Sequence, residues 1–244
     1  MSSRNISVTM ALVISNIIVF ILGNFASEPA IFGIPYSAPP AHDTPLTVLR
    51  GAYSWYTCFI EGELWRLFSY QFLHANTMHL IFNMWALYFF GPAVEQAMGS
   101  RRFLFFYLSC GIAGALFSSL LASLGLFGTE ISPIVMELVQ DVTGLEHIEF
   151  WQVVPMVGAS AAIYGVLVAV AFLYPYVRIS LIFPPITLTL RNFALLVLAI
   201  AVLTVLLNAD NAGGEAGHLG GIVLSAIIMQ IWRFRYLKNR NNDH

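Results

Sequence analysis

The chain has 244 residues, 58% hydrophobic and 10% charged, with a mean hydropathy of +0.76, where soluble domains carry about 25% charged residues. That composition excludes an ordinary soluble domain and indicates an all-α polytopic membrane protein. A formal net charge of -2, with no long like-charge tract, argues against nucleic acid as a partner.

The first apolar run, over residues 8–23, follows a short polar start containing Arg4. No small-x-small cleavage site follows in Gly23-Asn24-Phe25-Ala26-Ser27, so the run is read as a retained span rather than a signal peptide. The first loop, 24–77, is rich in proline and aromatics, including Pro39, Pro40, Trp55, Tyr56 and Trp65. Such residues suit a lateral structure lying partly in the outer membrane interface. Further apolar runs over 78–98, 103–127, 156–177, 188–207 and 214–233 complete a six-span bundle, a single membrane domain over 1–244.

Charge sets the orientation. The loop between the third and fourth spans carries Glu130, Glu137, Asp141, Glu146 and Glu149 and no lysine or arginine. Arg4, Arg101, Arg102, Arg178, Arg191, Arg233, Arg235, Lys238 and Arg240 fall on one side of the six-span arrangement, and only Arg50 and Arg66 on the other. By the positive-inside rule both termini are expected in the cytoplasm. No internal repeat is visible, so an inverted-repeat transporter has no support.

Spans two, four and six then run from outside to inside. His79 and Asn83 begin span two, Ser160 span four and His218 span six, all roughly 5 to 10 Å below the outer edge of the hydrocarbon layer. There the alternative to mutual contact is lipid. Gly217-His218-Leu219-Gly220-Gly221 contains a GxxxG, and Gly158, Ala162 and Gly165 strip a face of span four, which allows the two backbones to approach closely.

Such approach brings the Ser160 hydroxyl within reach of the His218 imidazole, a base suited to activating a serine near neutral pH. His79 and Asn83, at i and i+4 on one helix face, can supply donors to a developing oxyanion. Tyr164, one turn after Ser160, can support the imidazole. Each residue also has a plainer reading: a packing serine, a carbonyl-bonded histidine, a polar helix end, an interior tyrosine. Glu215, the acid nearest His218, sits at a helix start and is expected to be wet, leaving a dyad without an acid. Cys58 and Cys110 form no disulfide framework, and the six histidines are scattered without HxxxH or HExxH spacing, so no metal or cofactor is expected.

Gly158-x-Ser160 with Tyr164, His79-xxx-Asn83 after Trp65-Arg66, and Gly217-His218-Leu219-Gly220-Gly221 together resemble the rhomboid family of intramembrane serine proteases. The resemblance runs most clearly from Leu64 onward, with Gly91, Glu95 and Gly99 similar to family features at the end of span two. It implies a six-transmembrane-helix rhomboid-like bundle of the basic bacterial type, in a bacterial inner membrane. Ser160 is then the nucleophile, His218 the general base, and His79 with Asn83 the oxyanion stabilisers. Trp65-Arg66 would belong to a first-loop structure in the outer leaflet.

The implied reaction is endoproteolysis of single-span membrane protein substrates near the extracytoplasmic face, with the lipid bilayer as the other partner. Ala161 departs from the family, where glycine often follows the nucleophile. The rival within the family is a catalytically inactive rhomboid-like protein that binds membrane clients. Retention of both Ser160 and His218 weighs against it.

Overall fold

A computed structural model of the chain describes residues 6–25, 51–127, 149–181 and 185–242. Arg4, Arg50, residues 26–50 of the first loop, and Glu130, Glu137, Asp141 and Glu146 of the acidic loop lie outside the described residues. The fold is mostly helical. The helices are α1 (Val8–Phe25), α2 (Arg66–Ser69), α3 (Thr77–Met98), α4 (Ser100–Ser123), α5 (Phe150–Val153), α6 (Ser160–Leu173), α7 (Leu190–Leu206) and α8 (Ala212–Asn242). By length and composition, α4 and the Ala212–Arg235 part of α8 can cross a membrane, while Val8–Gly23, Ser160–Leu173 and Leu190–Leu206 are shorter apolar helices.

The distribution of side chains is that of a protein solvated by hydrocarbon. Ile81, Phe82, Trp85, Tyr88 and Phe89 on α3, and Leu195, Ile200 and Leu203 on α7, are exposed, while Asn16, Gln71, His74, Asn83 and Ser225 are buried. So large an apolar exterior is unfavourable against water, whereas lipid tails solvate it without cost.

Local chemistry sets the helix ends. Asn76 precedes α3, and its Oδ1 accepts the His79 N–H at 2.9 Å, satisfying one of the first-turn donors. Near the other end of α3 the Glu95 carboxylate accepts the backbone N–H groups of Val8 and Thr9, both at 2.8 Å, and the hydroxyls of Thr9 and Ser100 at 2.6 and 2.7 Å. The start of α1 is thereby tied to the end of α3 and the start of α4.

Helix α6 occupies only part of the apolar run over 156–177. It begins at Ser160 because Pro155 and the turn at Gly158 precede it. It ends at Leu173 because Pro175 pushes Tyr174 out of the helical region, to φ -132 and ψ 56. The expectation of a purely all-α chain needs one amendment. After α6, β1 (Arg178–Ser180) pairs antiparallel with β2 (Thr187–Thr189), with Arg178 opposite Thr189. Both are three-residue strands in the connection between α6 and α7. Thr189 then caps α7, its Oγ1 accepting the Asn192 N–H at 3.2 Å.

Helix α6 is the centre of the bundle, packed by α3, α4, α7 and α8. Ala162, Ile163, Val166, Ala169 and Val170 are all buried, as a helix apolar on every side requires. Ser160 is the first residue of a helix packed by four others.

Candidate active site

The approach to Ser160 is clamped from the first loop. Tyr53 and Met156 exchange backbone hydrogen bonds of 3.0 and 2.7 Å, and the Gly158 N–H donates to the Tyr70 carbonyl at 2.9 Å. The two tyrosines are anchored on α4: Tyr53 Oη lies 2.8 Å from Ser119 Oγ, and Tyr70 Oη donates to the Gly111 carbonyl at 2.5 Å.

Gly158 does not strip a face of α6, as its sequence spacing suggests, because it precedes the helix. Its φ of +127 is strained for any side chain, and an added Cβ would stand 2.8 Å from both Cε1 and Nε2 of His79 and 3.5 Å from Ser160 Oγ. The glycine therefore makes the tight turn and leaves room for the His79 ring beside the serine.

Helix α8 is brought against α6 and α4 by small residues. A Cβ on Gly221 would lie 2.8 Å from the carbonyl carbon of Ala161, and one on Gly220 would lie 2.5 Å from the Ala113 carbonyl oxygen. Gly217 faces Met156 and Gly114 rather than the α6 backbone, so the two ends of the GxxxG serve different neighbours. Ser225 Oγ donates to the Gly165 carbonyl at 2.7 Å and Ser118 Oγ to that of Gly213 at 2.9 Å, which fixes the register of α8.

With the helices so placed, His218 Nε2 lies 2.7 Å from Ser160 Oγ, a hydrogen bond. The Tyr164 ring stacks on the His218 ring, centroids 3.9 Å apart and planes 15° from parallel. On the other side of the imidazole, Nδ1 lies 2.9 Å from Oε2 of Glu215. The Glu215 side chain is only 15% exposed, against the expectation of a wet residue, and that of His218 only 11%. The i, i+3 spacing puts both on one face of α8.

A cavity of about 830 Å³ opens over this group. His79, Ser160 and His218 line it, with Trp55, Trp151, Met156 and Ala212 among its other walls. The Trp55 and Trp151 rings are 5.7 Å apart. Asn83, on the same face of α3 as His79, is not among the lining residues: it is 7% exposed, and its Nδ2 has no hydrogen-bond partner. His74, 1% exposed, meets His79 edge to face at 5.0 Å.

Arg66 is buried, donating from Nη1 to the Ala52 carbonyl at 2.8 Å and pairing with Glu63, while Trp65 is exposed. Among the described residues, no group of three or more His, Cys, Asp or Glu is placed to hold a metal ion. Tyr53, Tyr70, Met156, Trp55 and Trp151 are site neighbours that sequence reasoning missed, and Glu215, named there as the acid nearest His218, was misjudged as wet. Only Glu215 carried a readable signal, its spacing from His218.

A serine bonded to a histidine, at a cavity between the central helix and a neighbour in an apolar-surfaced bundle, defines a helical membrane fold with a polar site between its helices. The rhomboid domain profile matches residues 61–231, and the chain belongs to the rhomboid family, whose members are integral membrane proteins. It is 31% identical over 173 residues to "Rhomboid protease GluP" of Bacillus subtilis, covering 69% of this chain and 27% of that protein. It is 30% identical over 225 residues to "Rhomboid protease AarA" of Providencia stuartii, covering 91% of this chain and 71% of that protein. The chain thus spans well under two thirds of the length of the first of these relatives. A shorter match, 36% over 70 residues, covers 29% of this chain and 20% of "Inactive RHOMBOID-like protein 8" of Arabidopsis thaliana.

Proposed function

We propose that the chain is an intramembrane serine endopeptidase that cleaves transmembrane segments near the extracytoplasmic face. The observation that carries this reading is the 2.7 Å contact between Ser160 Oγ and His218 Nε2 at an 830 Å³ cavity. Its context is six long helices, α1, α3, α4, α6, α7 and α8, taken as spans in a bacterial inner membrane with both termini cytoplasmic. The relatives named as proteases support it.

In the reaction, Ser160 Oγ bonds to the scissile carbonyl carbon while its proton passes to His218 Nε2 and the carbonyl electron pair moves onto oxygen. Breaking the C–N bond sends the proton to the departing amine. Water entering from the cavity then releases the acyl group, again with His218 as base. The oxyanion is met by His79, by Asn83 and by the Ser160 backbone N–H at the start of α6, each such donor contributing about 3 kcal/mol to the barrier. The Nδ2 of Asn83 is buried outside the cavity lining without a hydrogen-bond partner, and it reaches the oxyanion only when the side chain turns toward the cavity. Tyr164 holds the imidazole plane.

A substrate helix satisfies its own backbone bonds and must unwind before attack. Single-span proteins with glycine or proline near the scissile bond, and a small residue before it, are the substrates this requirement favours.

A fluorophosphonate probe tests the assignment. Wild type should become covalently labelled, and Ser160→Ala should not. Absence of labelling in folded wild type would instead support the rival reading, an inactive rhomboid-like protein that binds membrane clients.

A further inference from the structure

We infer that Glu215 completes a Ser160–His218–Glu215 relay, as a positioning residue that fixes the proton arrangement of the base. The inference rests on the protease reading above and deepens it.

Imidazole Nδ1 and Nε2 have complementary roles in the neutral ring: one carries a proton and the other a lone pair. Ser160 can be activated only if the lone pair is on Nε2, the nitrogen 2.7 Å from its hydroxyl. The other nitrogen is 2.9 Å from a Glu215 carboxylate oxygen. A carboxylate only accepts, so this contact is a bond only with the proton on Nδ1. The acid thereby selects the productive tautomer, and the alternative tautomer would set two lone pairs against each other.

The same contact fixes the ring's direction. Tyr164 restricts the ring plane by stacking at 3.9 Å, but a stack is equally satisfied after a half-turn flip of the ring about its Cβ–Cγ bond. The Nδ1–H bond to Glu215 removes that freedom. When Ser160 attacks, its proton moves to Nε2 and the ring becomes a cation with protons on both nitrogens. Glu215 keeps its negative charge and faces that cation, with no proton moving to it. At side-chain exposures of 11% for His218 and 15% for Glu215, water screens this attraction little.

The spacing makes the arrangement local to one helix turn. Glu215 and His218 are i and i+3 on α8, so no second element has to dock for the acid to meet its base. The Glu215 N–H donates to the Asn211 carbonyl at 3.0 Å, holding the first turn of α8 in place.

The test compares wild type, Glu215→Gln, Glu215→Asp and Ser160→Ala, full length and reconstituted in liposomes, on a single-span reporter substrate. Glu215→Gln keeps the shape but not the charge. It should lower kcat by at least about tenfold with KM within about twofold, and slow fluorophosphonate labelling by a similar factor. Glu215→Asp should recover part of the loss, which a purely packing role for the side chain would not produce. A folded Glu215→Gln with kcat within about twofold of wild type overturns the inference.

A second readout needs no proteolysis. In 15N spectra of histidine-labelled wild type, assigned by loss of one ring signal in His218→Asn, His218 should show a protonated Nδ1 and an unprotonated Nε2. A mixture of tautomers, or the reverse one, overturns the relay. If wild type proves no more active than Ser160→Ala, the protease reading fails, and comparison of the His218 signals in wild type and Glu215→Gln still decides whether Glu215 sets the tautomer.

Discussion

The phenol ring of Tyr164 lies flat on the imidazole of His218, 3.9 Å between centroids and 15° from parallel. The two residues come from different helices, α6 and α8, so the stack reports how closely these helices pack as well as how the ring is held. An aromatic contact of this kind is worth about 0.5–1.5 kcal/mol beyond the area it buries. Tyr164→Phe keeps the stacked face and should retain kcat/KM within about twofold. Tyr164→Ala should lose roughly three- to tenfold, the kinetic equivalent of that energy. Equal losses in both variants, measured on the reporter substrate, would place the role in the hydroxyl instead.

The two glycines of the GxxxG should respond differently to the same substitution. In Gly221→Ala the new methyl meets the rigid backbone of Ala161, its carbonyl carbon 2.8 Å away. In Gly217→Ala the nearest atom, at 2.9 Å, is the terminal methyl of Met156, which can move. Gly221→Ala should therefore destabilise by about 1–3 kcal/mol or more, and Gly217→Ala by clearly less. Thermal unfolding of both variants in one detergent checks the ordering.

His74 gives the protein a pH-dependent stability. Burial, then the neighbouring His79, lowers the His74 imidazole from its ordinary 6.5 to about 3. Between those values the unfolded chain binds a proton that the folded one does not. Stability is therefore full above pH 6.5 and declines as pH falls through that window. The decline from this one group is at most about 1.4 kcal/mol per pH unit. His74→Gln should show a flatter dependence of melting temperature between pH 7 and 5 than wild type. Parallel profiles would show that His74 is not the titrating group.

How much of this was legible in the chain depends on which residue is asked. Ser160, His218 and His79 could be placed together because helix rise is regular and lipid leaves polar groups few alternatives. Gly158 was set on the wrong element, since small-residue spacing cannot distinguish a helix face from the turn before it. The 14-residue length of α6 was hidden by apolar flanks that continue past both ends. Tyr53 and Tyr70 clamp the segment before Ser160 through backbone atoms, and a backbone bond between distant segments leaves no mark in residue type. Glu215 was misjudged because a helix start says nothing about what covers it.

The proposed orientation, both termini cytoplasmic, rests on the distribution of basic residues and can be tested with single cysteines. The native Cys58 and Cys110 are both buried and contribute little background. A cysteine at exposed Asp210, in the connection between α7 and α8, should react with an impermeant reagent in intact cells. One at exposed Arg235 should react only after permeabilisation. The opposite pattern would invert the topology.

Intramembrane proteolysis itself is tested most directly by reconstituting the purified protein in liposomes with a series of single-span substrates that differ only near the intended scissile bond. Products are then sequenced to locate the cut. Wild type should cleave near the extracytoplasmic end, faster when glycine or proline weakens the helix there, and Ser160→Ala and His218→Ala should give no product although folded. Undiminished cleavage by Ser160→Ala, or cutting of an unbroken leucine-rich helix at the same rate on the cytoplasmic side, would contradict both the nucleophile and the outward-facing cavity.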